Sequence, residues 1–425
     1  MDQTPINVAI NAQIDPLEAG GIQTSCNSLI RGLQNASARI KLKVLTQPQW
    51  VSSYSGICGS ECTVHPIDMA EIAPITKAPP ARLRNIYPKL PQPGRQLVDQ
   101  LTRIHRDRVM EKRSLAGSEN TQYLQSLGID VLHFCYPRMF AHSLPYIFEP
   151  HDLQHEVMPE YFSEEELGWR KIHYRHGCQN ARFVVCGSVF TKQDIIKFYE
   201  VDPQRIAVIP RTTLDDTAPQ RTDAPSIALP QRFALYPAST YPHKNHQRLI
   251  QAVEIMAQQP GVIPILCTGI KTEHFPQLEQ ALRERNLSDL VRFTGPLSDA
   301  EIRWAYRQAE FVVFPSLYEG SSQALLEALA NKKYVVAAHQ TSNPETLGAA
   351  ADYFDGLSVD DMASTILRAM QQTRGPVQIV QRAEEQLMHF DWDKATTAFS
   401  ALYKAAADHP LSDEENNALN AAVSQ

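Results

Sequence analysis

Short apolar runs recur along this chain, each followed by a loop and then by apolar residues at helical spacing. The run at 6–10 (INVAI) leads into a loop ending in Gly20-Gly21. Residues 22–33 then place Ile22, Cys26, Leu29, Ile30 and Leu33 on one helical face. Strand, glycine loop and helix in that order open a doubly wound α/β domain. The same pattern predicts strands at 43–45, 131–134, 146–148, 183–186 and 206–209, with a helix at 191–199. A second series predicts strands at 233–236, 263–266, 291–293, 311–314 and 334–337. Its helices fall at 246–256, 275–284, 299–308 and 322–330.

Between the two series, residues 212–230 carry proline and charge with little apolar periodicity, which suits an interdomain linker. The pattern thus divides the chain into Rossmann-like domains at 1–212 and 213–376, facing each other across a cleft. A helical segment around Phe390-Asp391-Trp392 follows at 377–407. The polar, alanine-rich 408–425 shows no apolar face and is expected to be a flexible tail. One stretch differs in kind: 74–113 is proline-bearing, then turns basic through Arg103, Arg106, Arg108, Lys112 and Arg113. It reads as an irregular excursion and an exposed helix. Its charges form either a solvated face or a patch that approaches anionic lipid headgroups.

Size and composition agree with two soluble α/β domains. The chain has 425 residues, 43% hydrophobic and 20% charged. A net charge of −7 excludes the basic excess that a nucleic-acid binder needs. The N-terminus lacks a basic segment followed by an apolar one, and no apolar run reaches the ~18 residues of a membrane span. The 7 cysteines are scattered without zinc-type spacing. A cytoplasmic protein with free thiols is expected.

Four segments carry candidate chemistry. In Phe314-Pro-Ser-Leu-Tyr-Glu319-Gly320-Ser321-Ser322, a buried strand turns through a loop into a helix. The N-terminus of that helix offers unpaired N–H groups to a phosphate, and Gly320 and the small serines leave room for one. Glu319 can accept from sugar hydroxyls, and Glu327, inside the helix, from a ribose. Their alternatives are a plain loop carboxylate and a plain helix-surface carboxylate. In Pro242-His243-Lys244-Asn245, a lysine at a helix start is electrostatically awkward unless it neutralises an anion such as a diphosphate. In Glu149-Pro-His151-Asp152-Leu-Gln-His155, polar groups cluster at a strand end, where α/β domains put ligands. His151 there could touch a transferred sugar or its acceptor. A metal held by His151, Asp152 and His155 would need all three to converge. The pair Gly20-Gly21 could let the backbone approach a donor phosphate or an acceptor.

These segments together resemble the retaining GT-B glycosyltransferases of sequence family 4, over most of the chain from Gly20-Gly21 to Trp392. Glu319 and Glu327 match that family's paired glutamates, and Pro242-His243-Lys244-Asn245 its phosphate-lysine loop. The run from Phe293 to Asp299, containing Leu297, is similar to the segment beside the nucleobase. The run from Phe183 through Ser188 to Asp194 is similar to the last signature of the N-terminal domain. His151 to His155, with Pro159-Glu160 and Phe162-Ser163, resembles a bacterial subgroup active on surface polysaccharides. The resemblance implies a metal-independent hexosyltransferase with no cofactor beyond its nucleotide-sugar donor, GDP-mannose being favoured over UDP-hexoses. The acceptor would be a glycan or lipid-linked glycan, reached from the inner membrane face. Domain 1–212 would face the acceptor, domain 213–376 would bind the nucleotide-sugar, and the C-terminal helices would pack back on the N-terminal domain.

By match, His151, Lys244 and Glu319 are the catalytic set. Gly20, Gly21, Lys244, Leu297, Glu319, Gly320, Ser321, Ser322 and Glu327 bind the donor. Two departures stand out. Ala238-Ser239-Thr240 replaces the stretch where the family has an arginine, so another cation such as Arg211 would have to serve. Gly320-Ser321-Ser322 replaces Gly-Phe-Gly. A sugar-nucleotide epimerase and a non-catalytic transferase-like partner are the competing readings.

Overall fold

A computed structural model of the chain describes residues 5–16, 21–34, 39–60, 62–67, 89–210, 224, 229–371 and 377–425. The side chains at 96, 99, 102–116, 377, 379 and 380 lie outside that description. The N-terminal part runs β1 (Ile6–Asn11), α1 (Gly21–Gln34), β2 (Ile40–Thr46), α2 (Val51–Ile57), β3 (Cys62–Pro66), α3 (Gln92–Ser126), β4 (Val131–Phe134), β5 (Tyr146–Phe148), α4 (Gln154–Val157), α5 (Glu164–Asn180), β6 (Phe183–Cys186), α6 (Val189–Tyr199) and β7 (Ile206–Val208). The second part runs β8 (Ala234–Pro237), α7 (His246–Met256), β9 (Ile265–Thr268), α8 (Phe275–Arg285), β10 (Val291–Gly295), α9 (Asp299–Gln308), β11 (Val312–Phe314), α10 (Gln323–Ala330), β12 (Val335–Ala338), α11 (Asn343–Leu347), β13 (Ala351–Phe354) and α12 (Val359–Gln371). The chain ends in α13 (Val377–Leu387), α14 (Trp392–Ala406) and α15 (Asp413–Ser424).

Both sheets are parallel. Their orders are β3-β2-β1-β4-β5-β6-β7 and β10-β9-β8-β11-β12-β13. In each, the order reverses next to the first strand, at β1/β4 and at β8/β11. Parallel sheets are covered on both faces, which is why strands such as Ile265–Thr268 and Val335–Ala338 are buried at every position. Crevices at the carboxyl ends of the strands beside such reversals are where α/β sheets bind ligands.

The last helices return to the first domain. Ala395, Phe399, Leu402 and Tyr403 of α14 join the core formed with Ile6, Val8, Leu29 and Val131. The two helices α1 and α14 approach closely because Gly32 has no side chain: a Cβ there would lie 2.3 Å from the Trp392 ring. The expected flexible tail at 408–425 is a correction. Asp413–Ser424 is helical, opened by a capping box between Ser412 and Glu415. Ala418, Leu419, Ala422 and Val423 pack on the same core. Alanines count as apolar when a helix lies flat on a wall, and the composition hid that face. The segment 377–407 is two helices, broken around Phe390. Strands β3 and β13 and helix α12 went unpredicted, and the 35-residue α3 extends on both sides of the exposed helix expected at the basic run. The expected linker and Arg211 fall largely or wholly outside the described residues, as do Gly20 and much of the proline-bearing stretch. The basic side chains from Arg103 to Arg113 are outside them too.

Candidate functional site

The loops after β8 and β11, the two strands at the reversal of the second sheet, meet at Lys244 and Glu319. Their side chains form an ion pair with Nζ 2.6 Å from Oε1, both mostly shielded from solvent. Each loop is held from several directions. Asn245 adopts a left-handed conformation at φ 62°. Its amide donates to the carbonyls of Pro315 and Gly356 at 2.9 and 2.8 Å. The Tyr236 hydroxyl donates to the Lys244 carbonyl at 2.6 Å, and the Leu317 N–H to the His243 carbonyl at 2.8 Å. The backbone of Glu319 is gripped by the loop after β12. Its N–H donates to the Thr341 hydroxyl and its carbonyl accepts from Ser342, both at 2.9 Å. Sequence reasoning missed Thr341 and Ser342, whose part depends on a contact between distant loops.

Helix α10 starts directly after this loop. Ser322 precedes its first turn without capping it through its side chain. Its leading amides and dipole therefore form an anion-binding feature at the end of the Glu319 loop. Glu327 lies further along α10, half-buried against α9. Burial raises its carboxyl to about 7, with Asp299 adding to the rise and Tyr306 and Arg303 opposing it. Leu297 packs partly buried on the core of the second domain, just before α9. His243 stacks near Tyr241 and is lowered to about 2, chiefly by burial and then by Lys244.

The first domain meets this loop directly. Gly320 packs so tightly on it that a Cβ would sit 2.4 Å from the His151 carbonyl and 2.8 Å from the Asp152 side chain. His151 is itself left-handed at φ 63°. Its Nε2 donates to the Cys135 carbonyl at 2.6 Å, and its Nδ1 lies 3.5 Å from Glu149. Both ring nitrogens thus face groups of their own domain. Glu149, fully buried, also approaches His133 at 3.5 Å, and His133 pairs with the Tyr403 hydroxyl at 2.8 Å. Gly21 opens α1, and nothing lies within 4 Å of where its Cβ would stand.

The predicted residues therefore divide. Lys244, Glu319, Gly320 and the seam at His151 come together, with Ser321 and Ser322 beside them. The trio His151, Asp152 and His155 does not converge. His155 is fully buried and bonded through Nε2 to the Tyr199 hydroxyl at 2.9 Å. Among the described residues no group of three or more His, Cys, Asp or Glu is arranged to hold a metal ion.

This architecture has clear counterparts. Residues 220–386 match the family described as glycosyl transferases group 1, and residues 102–213 match glycosyltransferase family 4. The O-antigen chain mannosyltransferase B of Escherichia coli is 24% identical over 347 residues, 73% of this chain and 89% of its own length. The O-antigen chain mannosyltransferase RfbU of Salmonella typhimurium is 24% identical over 46% of this chain and 53% of its own. Among solved structures, Anabaena HepE in complex with UDP and glucose superposes with a TM-score of 0.64 at 15% identity. That match covers 94% of this chain and 100% of that one, and it shows a shared fold.

Proposed function

We propose, for a chain that belongs to the glycosyltransferases built from group 1 and family 4 domains, transfer of a hexose from a nucleoside-diphosphate sugar to a glycan hydroxyl with retained anomeric configuration. The observation that carries this reading is the Lys244–Glu319 pair, set at the sheet reversal beneath the start of α10 and facing the His151 seam. Lys244 and the amides after Gly320 would hold the diphosphate. Glu319 would accept from the sugar hydroxyls and Glu327 from the ribose. Leu297 lies on the nucleobase side, and Gly21 at the opposite wall.

In the step itself, the acceptor oxygen bonds to the anomeric carbon on the face that the leaving phosphate occupies. The bond from that carbon to the phosphate oxygen breaks, and the acceptor proton passes to the departing phosphate. No nucleophile, metal or cofactor of the protein takes part. The protein contributes positioning and charge stabilisation. His151 contributes at the seam, where its carbonyl borders the donor loop while its ring is held by Cys135 and Glu149.

GDP-mannose is the favoured donor, because the chain is similar in sequence to the mannosyltransferases named above. The acceptor is a glycan or lipid-linked glycan of surface-polysaccharide assembly, reached at the inner membrane face. Leu97 and Leu101, each 57% exposed and one turn apart on α3, give the protein an apolar contact for that surface. No helix among the described residues is long and apolar enough to cross a membrane. A thermal-shift screen with GDP, UDP, ADP, dTDP and CMP, with and without magnesium, tests the donor site. A magnesium-independent rise with GDP is expected, since a ligand of the native state stabilises it by mass action. No rise with any nucleotide would point to a non-catalytic protein.

A further inference from the structure

The loop that carries Glu319 is held from across the cleft as well as from its own domain. The start of α6, in the first domain, faces it. The Gly320 carbonyl accepts two hydrogen bonds from there, from the Ser188 hydroxyl at 2.5 Å and the Thr191 hydroxyl at 3.0 Å. Both donors are buried. Gly187 is a glycine against Ser321: a Cβ there would lie 2.7 Å from the Ser321 side chain. One residue before Glu319, the Tyr318 hydroxyl donates to Asp194 of α6 at 2.6 Å and accepts from the Leu153 N–H at 3.3 Å. The bonding also runs the other way. Glu345 of α11 reaches over and accepts from the first two amides of α6, Val189 at 2.7 Å and Phe190 at 3.2 Å. A carboxylate on a helix N-terminus satisfies amides that have no partner within the helix and complements its dipole.

We infer that the start of α6 is a clasp that aims Glu319 from the opposite domain, with Thr191 and Ser188 as its positioning residues. The inference rests on the reading of Glu319 as the group that holds the donor sugar. In this clasp the two bonds end on the carbonyl of the residue next to Glu319. The plane after Glu319 is held by Ser342 of its own domain, but the next one, after Gly320, is fixed only while the domains are in register, and with it the far side of the loop that carries Glu319. Glu319 then meets the sugar correctly in the closed arrangement alone. An open cleft binds the nucleotide but not the sugar in reactive geometry, which protects the donor from water. The diphosphate groups of the site, Lys244 and the α10 amides, belong to the second domain and need no clasp. A displacement of about 1 Å at such a group costs on the order of a hundredfold in rate.

The test separates sugar recognition from nucleotide recognition. Calorimetry would measure GDP and GDP-mannose binding, with UDP and UDP-glucose run beside them, to wild type, Thr191→Val, Glu319→Ala and the double variant. Thr191→Val removes one hydroxyl, keeps the shape and leaves the Ser188 cap of α6 in place. The expected result is GDP affinity within about twofold of wild type and a fall of roughly five- to tenfold in the affinity for GDP-mannose, the lower range of coupling between sites. In the Glu319→Ala background, Thr191→Val should then change neither ligand. Equal losses for GDP and GDP-mannose would show a merely structural role, and an unchanged preference for the sugar nucleotide would also overturn the clasp. So would a loss in the double variant as large as in wild type. Glu345→Gln loosens the same clasp from the other side without touching the core, and must show the same split. If Glu319→Ala itself keeps full preference for the sugar nucleotide, the reading of the donor site fails rather than the clasp alone.

Discussion

Two loops meet across the cleft, each at the carboxyl end of a parallel strand: one after β11, beside the reversal of its sheet, the other after β5, one strand further out. Both are rich in polar groups, yet they use them differently. After β11, Glu319 pairs with Lys244 at the edge of the cleft, and the helix that follows offers its amides outward. After β5, the polar groups are turned inward. Glu149 is fully buried between His133 and His151, the chain continues to Tyr403 of α14, and His155 is buried on Tyr199. The first loop presents charge to a ligand. The second is a scaffold that fixes the backbone at His151, against which Gly320 closes. Polar residues at a strand end thus mark a site or its support, and burial and bonding partners decide which.

The sharpest way to break this comparison is to cut each loop at its polar group. Glu319→Ala and Lys244→Ala should each lower turnover at least about a hundredfold, the scale seen when a preorganised charge contact to the transition state is removed. His155→Ala should leave turnover within about twofold and lower the melting temperature instead, because truncating a buried aromatic costs about 3 kcal/mol. Turnover by the purified variants and their thermal unfolding check both halves. Near wild-type turnover in Glu319→Ala, or its loss in a folded His155→Ala, reverses the assignment of the two loops.

The sequence made the first loop of this pair the easier one to read. Glu319, Gly320 and Lys244 sit within short segments whose strand-loop-helix pattern announces a ligand site, and the pattern placed nearly every strand around them. The Glu149–His155 loop has a similar polar density, but its meaning depends on Tyr199, Tyr403 and Cys135. Those partners lie far away in the chain and carry no local signal. The same limit hid Thr341, Ser342 and Glu345, which act on loops from other strands. Helix α3 was expected only at its basic run, and its low apolar content gave a period-based reading little with which to find its ends.

A smaller effect sharpens the comparison within the second domain, between its two glutamates. Glu327, unlike Glu319, has its carboxyl raised by burial to about 7. Only the ionised form accepts both ribose hydroxyls, so nucleotide affinity should rise about tenfold from pH 6 to pH 8, as expected for a titration centred near 7. Glu327→Gln should flatten that dependence. The linked effect on stability has the opposite sense. A raised carboxyl takes up a proton in the folded state between the ordinary glutamate range and about 7, so stability falls as pH rises through that window. In the free protein, Glu327→Gln should therefore gain most over wild type at pH 8 and least at pH 5. Calorimetric affinities and melting curves across pH measure both, and a flat wild-type affinity profile removes Glu327 from the ribose.

The smallest effect on turnover, none, is expected at the C-terminal helix, which packs on the core of the first domain. Glu415 is nearly fully buried, receives the Ser400 hydroxyl at 2.9 Å and pairs with Lys404 at 2.7 Å. Burial alone would raise its carboxyl, but Lys404, the Ser412 N–H and Ser400 together hold it below the ordinary range. A depressed carboxylate adds stability above its unfolded pKa and loses it as pH falls through the folded one. Glu415→Ala should therefore cost about 2 kcal/mol near pH 7, as for lost hydrogen bonds to a charged group, and progressively less below pH 4. Turnover should stay at the wild-type level. The chain here contributes to the wall beneath β1 and β7, where Lys192 also reaches the Val423 carbonyl at 2.6 Å. Chemical denaturation at the two pH values measures the difference. An equal cost at both would mean that Glu415 acts through α15 packing rather than through its charge.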